Sequence, residues 1–355
     1  MSAVASRSWS VLRALRADPP GRAGSGSRKS TFAAALEQSE QLWAAGKGLS
    51  PTASPIVLFY SLTQGARALA AASVKGSEWT GMSGHGFRLT SPAAPDNGIP
   101  RLRDLSVRPS GQGFVQQIAA LLGSGMSVGE TSLAALVQAL PTSERLLLNE
   151  PHVPIALQTN DGSHNISVDD DERCLSVGPL PAELTRYEQQ GDFSGQLVPS
   201  VEEVEQWLTA YPALRGLGAP LRVEQGGPLD FDVPEYRWTV NVVWPAARAG
   251  DHQTHYAWAA SVCDVPYDWR LPAQAGGLIL PSVGGSEQPI KPIIAWWMLL
   301  FGCSMLARYH PRTWRQVLDV DRSPDAVPAE LLLARAAELL PELLLEALHA
   351  TTTGQ

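Results

Sequence analysis

Charge and sulfur are both scarce. Only 17% of the 355 residues are Asp, Glu, Lys or Arg, and the balance is −8 at pH 7. A net negative chain of this kind does not coat nucleic acid through bulk charge, although a local basic groove stays open to it. The three cysteines, Cys174, Cys263 and Cys303, are far apart and form no CxxC pair. That spacing suggests neither a zinc knuckle nor a disulfide framework, and it suits a reducing cytoplasm. P-loop, dinucleotide and HExxH patterns are missing, which removes the nucleotide-binding and metalloprotease classes that depend on them. The seven histidines are dispersed. His252 and His255 stand at an HxxH spacing beside Gly250, without the third and fourth ligands zinc requires, and read as a surface loop. Asp169–Glu172 reads as a hairpin tip, because it lacks the spaced acids and distal Glu of a calcium loop. No metal and no cofactor is therefore expected.

Hydrophobic residues make up 44% of the chain, enough at this length for a large core. The longest uncharged apolar stretch lies between Lys291 and Arg308. Its large side chains, Ile293, Trp296, Trp297, Leu300 and Phe301 among them, point to every side of a helix, the pattern of a rod buried in a core. It falls short of the roughly 20 residues of a bilayer span, so no membrane span is expected. Pro292 suits its first turn and Pro311 its end. Arg308 and His310 fall at the C-terminal end, where a cation complements the helix dipole; with Arg312 they also suit an anion pocket. Gly284-Gly285-Ser286, ahead of this helix, is a weaker candidate for a phosphate cradle.

A second helix is predicted over Pro51–Val74. Leu58, Leu62, Ala66 and Leu69 form its apolar face, and Tyr60, Gln64 and Arg67 a polar stripe opposite. Trp79–Arg88 follows, a glycine-rich loop with His85 between Gly84 and Gly86; this histidine reads equally as a turn residue or as a general acid or base. Ser30–Gly46 and Pro328–His349 are further helices, the last with a kink or break at Pro341 and enough leucine for a homodimer seam.

Between Leu89 and Pro281 the apolar runs shorten and Pro and Gly become frequent. Ser106–Arg108, Gly113–Ile118, Ile155–Gln158, Ile166–Val168, Cys174–Val177, Arg222–Glu224, Arg237–Trp244 and His255–Val262 have strand-like composition, with Arg237–Trp244 central in a sheet. Thr131–Leu140 and Ser200–Leu214 are helical, the latter opened by a Ser200/Glu203 capping box. The organisation expected is α+β. Residues 1–29 form a basic flexible arm, without the apolar stretch of a secretory signal, in which Ser8–Leu15 can be a short helix docked by Trp9. Residues 30–88 are an N-terminal helical part, 89–281 a β-rich middle, and 282–350 a C-terminal helical part packing on 30–88.

Two motifs carry a family likeness. Leu299–Trp314, LLFGCSMLARYHPRTW, and Leu58–Leu69, LFYSLTQGARAL, with the Gly84-His85-Gly86-Phe87 element and, more weakly, Trp9, resemble the YaaC-like bacterial proteins. The resemblance supports the fold more than any activity. The helical portion also resembles the HEPN ribonucleases, whose helix carries Arg followed four to six residues later by His; here Arg308 and His310 stand closer and Pro311 intervenes.

The candidate ligand-binding residues are Tyr60, Gln64, Arg67, His85, Arg308, Tyr309 and His310. The first reading is a binding or scaffold protein that recognises an anionic small molecule, nucleic acid or another macromolecular partner. The alternative is a HEPN-like metal-independent ribonuclease or other phosphoryl-transfer enzyme, with His85 or His310 as base and Arg67 or Arg308 stabilising charge. A purely structural, complex-forming protein is the third reading.

Overall fold

The computed structural model describes residues 3–75, 80, 84–90, 101–111, 113–141, 147–148, 153–160, 172–181, 183–184, 186–190, 193–228, 238–245, 252–266 and 277–352. In chain order its elements are α1 (Ala3–Ala17), α2 (Gly26–Gly48), α3 (Ser54–Ala72), β1 (Phe87–Thr90), β2 (Ser106–Pro109), α4 (Phe114–Leu122), β3 (Thr131–Ser132), α5 (Leu133–Gln138), β4 (Leu157–Asn160), β5 (Glu172–Gly178), β6 (Arg186–Gln190) and β7 (Phe193–Leu197). They continue with α6 (Val201–Leu208), α7 (Pro212–Arg215), β8 (Arg222–Pro228), β9 (Trp238–Pro245), α8 (His252–Val262), β10 (Val265–Pro266), β11 (Gly277–Ile279), α9 (Pro292–Tyr309), α10 (Pro311–Val317) and α11 (Ala326–Thr352). The fold is α+β: N-terminal helices and a C-terminal helical bundle pack together, with a β-rich region between them in sequence.

The chain divides into two compact units, one of residues 1–137, 283–286 and 290–355, the other of 138–282 and 287–289. The described residues of 101–137 fall in the first unit.

In the first unit α9 is the buried rod. Pro292 opens it where a missing N–H costs nothing. Trp296, Trp297, Phe301 and Leu300 are each no more than 1% exposed. Its length and hydropathy are those of a membrane span, yet 72% of it is buried inside this protein. Helix α3 lies against α9, and α11 packs on both. Close approach is written into small residues: a Cβ at Gly302 would come within 2.9 Å of Leu133, and one at Gly65 within 2.8 Å of Leu344. Pro311 ends α9 as expected and also starts α10, its fixed φ suiting the first position of a helix. Helix α11 runs unbroken through Pro341. Its leucines are mostly buried within the unit, leaving Val327 and Leu331 as its exposed large apolar side chains.

The short helix expected at Ser8–Leu15, docked by Trp9, lies within α1, whereas the flexible linker expected at Asp18–Lys29 is a 3-10 turn and the start of α2. Helix α1 docks through Trp9, 3% exposed, whose ring sits 5.5 Å from that of Trp43. The Trp43 indole in turn donates to the carbonyl of Ala337 at 2.6 Å. Residues 21–24 form a 3-10 turn and α2 begins at Gly26. Composition reported polarity there; the buried tryptophan decided the outcome.

A three-stranded antiparallel sheet in order β1-β2-β3 completes this unit, with Phe87 opposite Pro109 and Val107 opposite Thr131. Gly113–Ile118, expected as strand, is instead the start of α4. Phe114, Val115, Ile118, Ala119 and Leu122 bury one helical face, and Gly123 closes it in the left-handed conformation (φ 62).

The second unit is built on a six-stranded antiparallel sheet in order β10-β11-β4-β5-β9-β8. β9 is interior, as its unbroken β-branched and aromatic run predicts, pairing Val242 with Leu175 on one side and Val223 on the other. The capping box of Ser200 and Glu203 is formed at the start of α6. His252–Val262 is helix α8, not the strand and loop expected of it: no alternation of faces runs through HQTHYAWAASV. Ile166–Val168 and Asp169–Asp171 lie outside the described residues.

Candidate anion site at the end of the buried helix

Helix α3 presents its apolar face, Leu58, Leu62, Ala66 and Leu69, to the core, each at most 2% exposed. The stripe Tyr60, Gln64 and Arg67 is left half-buried to exposed. Against the start of this stripe lies the last turn of α9. The Arg308 guanidinium donates from Nη1 to the Tyr60 hydroxyl at 2.8 Å and from Nε to the Ser304 carbonyl at 3.4 Å; Nη2 lies 3.3 Å from Met305 Sδ. Its Cζ sits 5.6 Å from the Tyr60 ring centre and 5.1 Å from that of Tyr309, which is 63% exposed. Arg308 also stands in the last turn of α9, where a cation complements the helix dipole. The tyrosine sandwich goes beyond it.

His85 is delivered by backbone geometry. Gly84 and Gly86 hold φ of 71° and 78°, conformations that side chains with a Cβ resist. The Gly86 carbonyl accepts from Ser110 N at 2.8 Å and from Gln116 Nε2 at 2.5 Å, and that of Gly84 from Phe114 N at 3.3 Å. Gly113 packs so closely that a Cβ there would fall 2.1 Å from Gly86 Cα. β1 follows at once and fixes the loop from the other side. The imidazole rests on Phe59 (ring centres 5.3 Å apart) and Phe301 (5.9 Å). Loss of solvation on that side, and secondarily the charge of Arg308, lowers its pKa below the ordinary histidine value. The outer face stays exposed. His85 thus holds a proton less readily than an ordinary histidine, with the Arg308 charge as the second cause.

Arg67 lies further along the stripe, its Cζ 5.9 Å from the ring centre of Phe114, which meets Trp297 edge-on at 5.4 Å. Gln64 stands between, with no hydrogen bond to a described residue. Tyr60, His85, Arg308 and Tyr309 are therefore brought together; Arg67 shares the face at a distance. His310 is not brought in. It caps α9 with its backbone N–H on the Leu306 carbonyl, and its exposed ring takes part in none of these contacts. The Arg–His arrangement of a HEPN helix is accordingly absent, since Pro311 puts His310 outside α9. Trp79 and Gly81–Ser83, part of the predicted loop, lie outside the described residues.

Sequence reasoning passes over the aromatic floor of Phe59, Phe301 and Phe114. Their spacing reads as core, and only their adjacency to Tyr60, Arg308 and Gly113 hints otherwise. It also passes over Gly125-Met126-Ser127-Val128-Gly129, which carries the letters of a nucleophile elbow. That segment lies on no strand-turn-helix, and Ser127, 3% exposed, is held at 2.6 Å by both the Gly129 carbonyl and the Thr131 hydroxyl. Among the described residues no base bonds to it, and it lacks the geometry of an elbow. Burial pushes the Cys303 thiol up to about 12 and raises that of Cys263, so neither is a thiolate at neutral pH. Gly284 serves a turn: its carbonyl accepts from Val128 and Gly129 N–H groups. Among the described residues no three His, Cys, Asp or Glu side chains converge as a metal centre.

The family model described as YaaC-like Protein matches residues 4–348. The chain belongs to the YaaC-like family. No curated protein and no solved structure matches it. In this YaaC-like chain the site falls wholly inside the matched range, and two segments, 58–69 and 299–314, supply all of the candidate residues except His85.

Proposed function

We propose that this YaaC-like protein is a binding protein whose first unit captures an anionic ligand at Arg308, with Tyr60, His85 and Tyr309 around it. One observation supports this above the others. The four elements that frame the site, α3, β1, α4 and α9, contain no Asp or Glu. Among the described residues Arg308 forms no ion pair, although it is half-buried. A cation withdrawn from water without a carboxylate is costly and calls for a counter-charge. Its ring neighbours carry no negative charge, and burial and Arg308 disfavour the protonated form of His85. An anionic ligand would supply the counter-charge that no described residue gives Arg308. Three cysteines that form no disulfide accord with a reducing, cytoplasmic setting.

Titration of the protein with inorganic phosphate tests this reading. Binding should move the His85 imidazole resonances and disappear in Arg308→Gln with the fold intact. Unchanged binding in that variant would refute the assignment.

A second reading is favoured by one feature only, an imidazole of lowered pKa on the same aromatic floor as the guanidinium, which suits a general base in phosphoryl transfer. Incubation with single-stranded RNA separates the two. Cleavage lost in His85→Ala supports the enzyme; binding without cleavage supports the module.

A further inference from the structure

We infer that the ligand carries two anionic groups held on the order of 10 Å apart, one on Arg308 and one on Arg67. This rests on the anion-binding reading above and adds to it a second anchor and a length. Tyr60, Gln64 and Arg67 follow at intervals of four and three residues, so they share one face of α3 and span about 10 Å along its axis. Arg308 is tied to the Tyr60 end by the 2.8 Å bond to its hydroxyl. Arg67 occupies the other end. Both guanidiniums are held the same way, over an aromatic ring rather than against an acid: Arg308 over Tyr60 and Tyr309, Arg67 over Phe114. A ring under the guanidinium fixes its plane yet leaves its edge N–H groups open to a forked acceptor. Arg67 forms no hydrogen bond or ion pair with a described residue, and Arg308 spends part of its donor set within the protein.

Along α3, the residue between the two ends of the stripe is polar and uncharged. Gln64, half-buried, offers an unused amide there. His85 is coupled to both ends. Its ring touches Phe59, next to Tyr60, and the carbonyl of Gly84 before it accepts from the N–H of Phe114, the residue under Arg67. Two fixed positive ends with neutral hydrogen-bonding groups between them fit a bisphosphorylated small molecule with a polar linker. A single oxyanion would leave one arginine unanswered.

Calorimetry on the full chain tests this. The probes are inorganic phosphate, hexyl phosphate, and α,ω-alkanediol bisphosphates from ethane-1,2-diol to octane-1,8-diol. Affinity should pass through a maximum at intermediate linker length and there exceed hexyl phosphate at least tenfold, because the second contact becomes intramolecular. Arg67→Gln should erase that gain and bring the best bisphosphate down to the affinity of hexyl phosphate. Arg67→Lys should keep part of it. Arg308→Gln should weaken every probe. If single and double phosphates bind alike, or Arg67→Gln changes neither, the two-point inference falls while the single-anion reading stands. If no probe binds, both fall. Thermal unfolding of each variant confirms that exposed Arg67 is not a folding residue.

Discussion

The hydroxyl of Tyr60 on α3 accepts a 2.8 Å hydrogen bond from Arg308 on α9, 248 residues away in sequence. It ties the polar stripe of one helix to the cationic end of another. Tyr60→Phe keeps the ring under the guanidinium and deletes only the acceptor. Stability should fall by no more than about 0.5–1.5 kcal/mol, the usual net worth of such a bond. Phosphate affinity should fall several-fold, because Arg308 is no longer held in one orientation. Urea unfolding and calorimetry measure the two effects separately. A large stability loss with unchanged affinity would make the pair architectural.

The loop that presents His85 depends on glycine twice over. A Cβ at Gly86 would meet the Gln116 side chain at 1.9 Å, and φ there is 78°. At Gly113 the obstacle is backbone: a Cβ would lie 2.1 Å from Gly86 Cα. A flexible amide can swing aside; a main chain must move bodily. Gly113→Ala should therefore displace the 84–86 turn and shift the His85 imidazole resonances even where the protein still folds. Gly86→Ala should cost stability mainly through its left-handed backbone. An unchanged His85 spectrum in Gly113→Ala would contradict this account.

Helices with one apolar face were legible because the period of α3 and the all-round apolarity of α9 are local properties of the sequence. So were β9 and the capping box at Ser200. Gly113–Ile118 was not: GFVQQI suits a strand as well as a helix, and only the burial of Phe114, Ile118 and Leu122 on one face decides it. Tyr60, Gln64 and Arg67 could be placed on one stripe by counting. Their meeting with Arg308 depends on how α3 packs on α9, which no spacing encodes. His310 takes part in none of the contacts that hold Arg308, because α9 ends at Tyr309 and Pro311 starts a new helix.

His85 gives the pH behaviour a sign. Its folded pKa is lowered, first by burial against the aromatic floor and second by Arg308, below the unfolded value of about 6.5. Above that unfolded value both states are neutral and pH has no effect through this group. As pH drops through it, the unfolded chain takes up a proton that the folded chain refuses. Stability is then lost until the folded pKa is passed, and levels off below it. Arg308→Gln should raise the pKa only in part, since the larger cause remains. A bound anion should raise it too. An NMR titration of the imidazole with and without phosphate reads both, and a pKa that does not rise on binding would separate His85 from the site.

Asp325, fully buried ahead of α11, is a structural ion pair that composition did not single out. It accepts from Arg101 Nε at 3.1 Å and Nη2 at 2.9 Å, and from Leu102 N at 2.5 Å. Asp325→Ala leaves a guanidinium and an N–H facing a vacated carboxylate, and should cost about 3–5 kcal/mol. Asp325→Asn keeps an acceptor and should cost less. Urea denaturation of the two variants orders them; equal losses would mean that volume rather than charge matters there.

The N-terminal helix supplies the sharpest contrast between composition and packing. Six basic residues and one acid over residues 1–29 read as a solvated arm. Trp9 instead fills a buried site on Trp43, which is itself bonded to α11 through Ala337. Arg13 and Arg16 pair with Glu40 and Glu37 on α2, so part of the basic charge is answered within the fold. Trp9→Ala should cost about 3–5 kcal/mol, as for other large-to-small changes in a core. The exposed pair Arg13–Glu40 should contribute little, because water screens it. Deletion of residues 1–17 should uncover Trp43 and make α2 and α11 sensitive to limited proteolysis. If the deleted chain resists protease as the intact one does, α1 is an ornament on the bundle rather than part of its core.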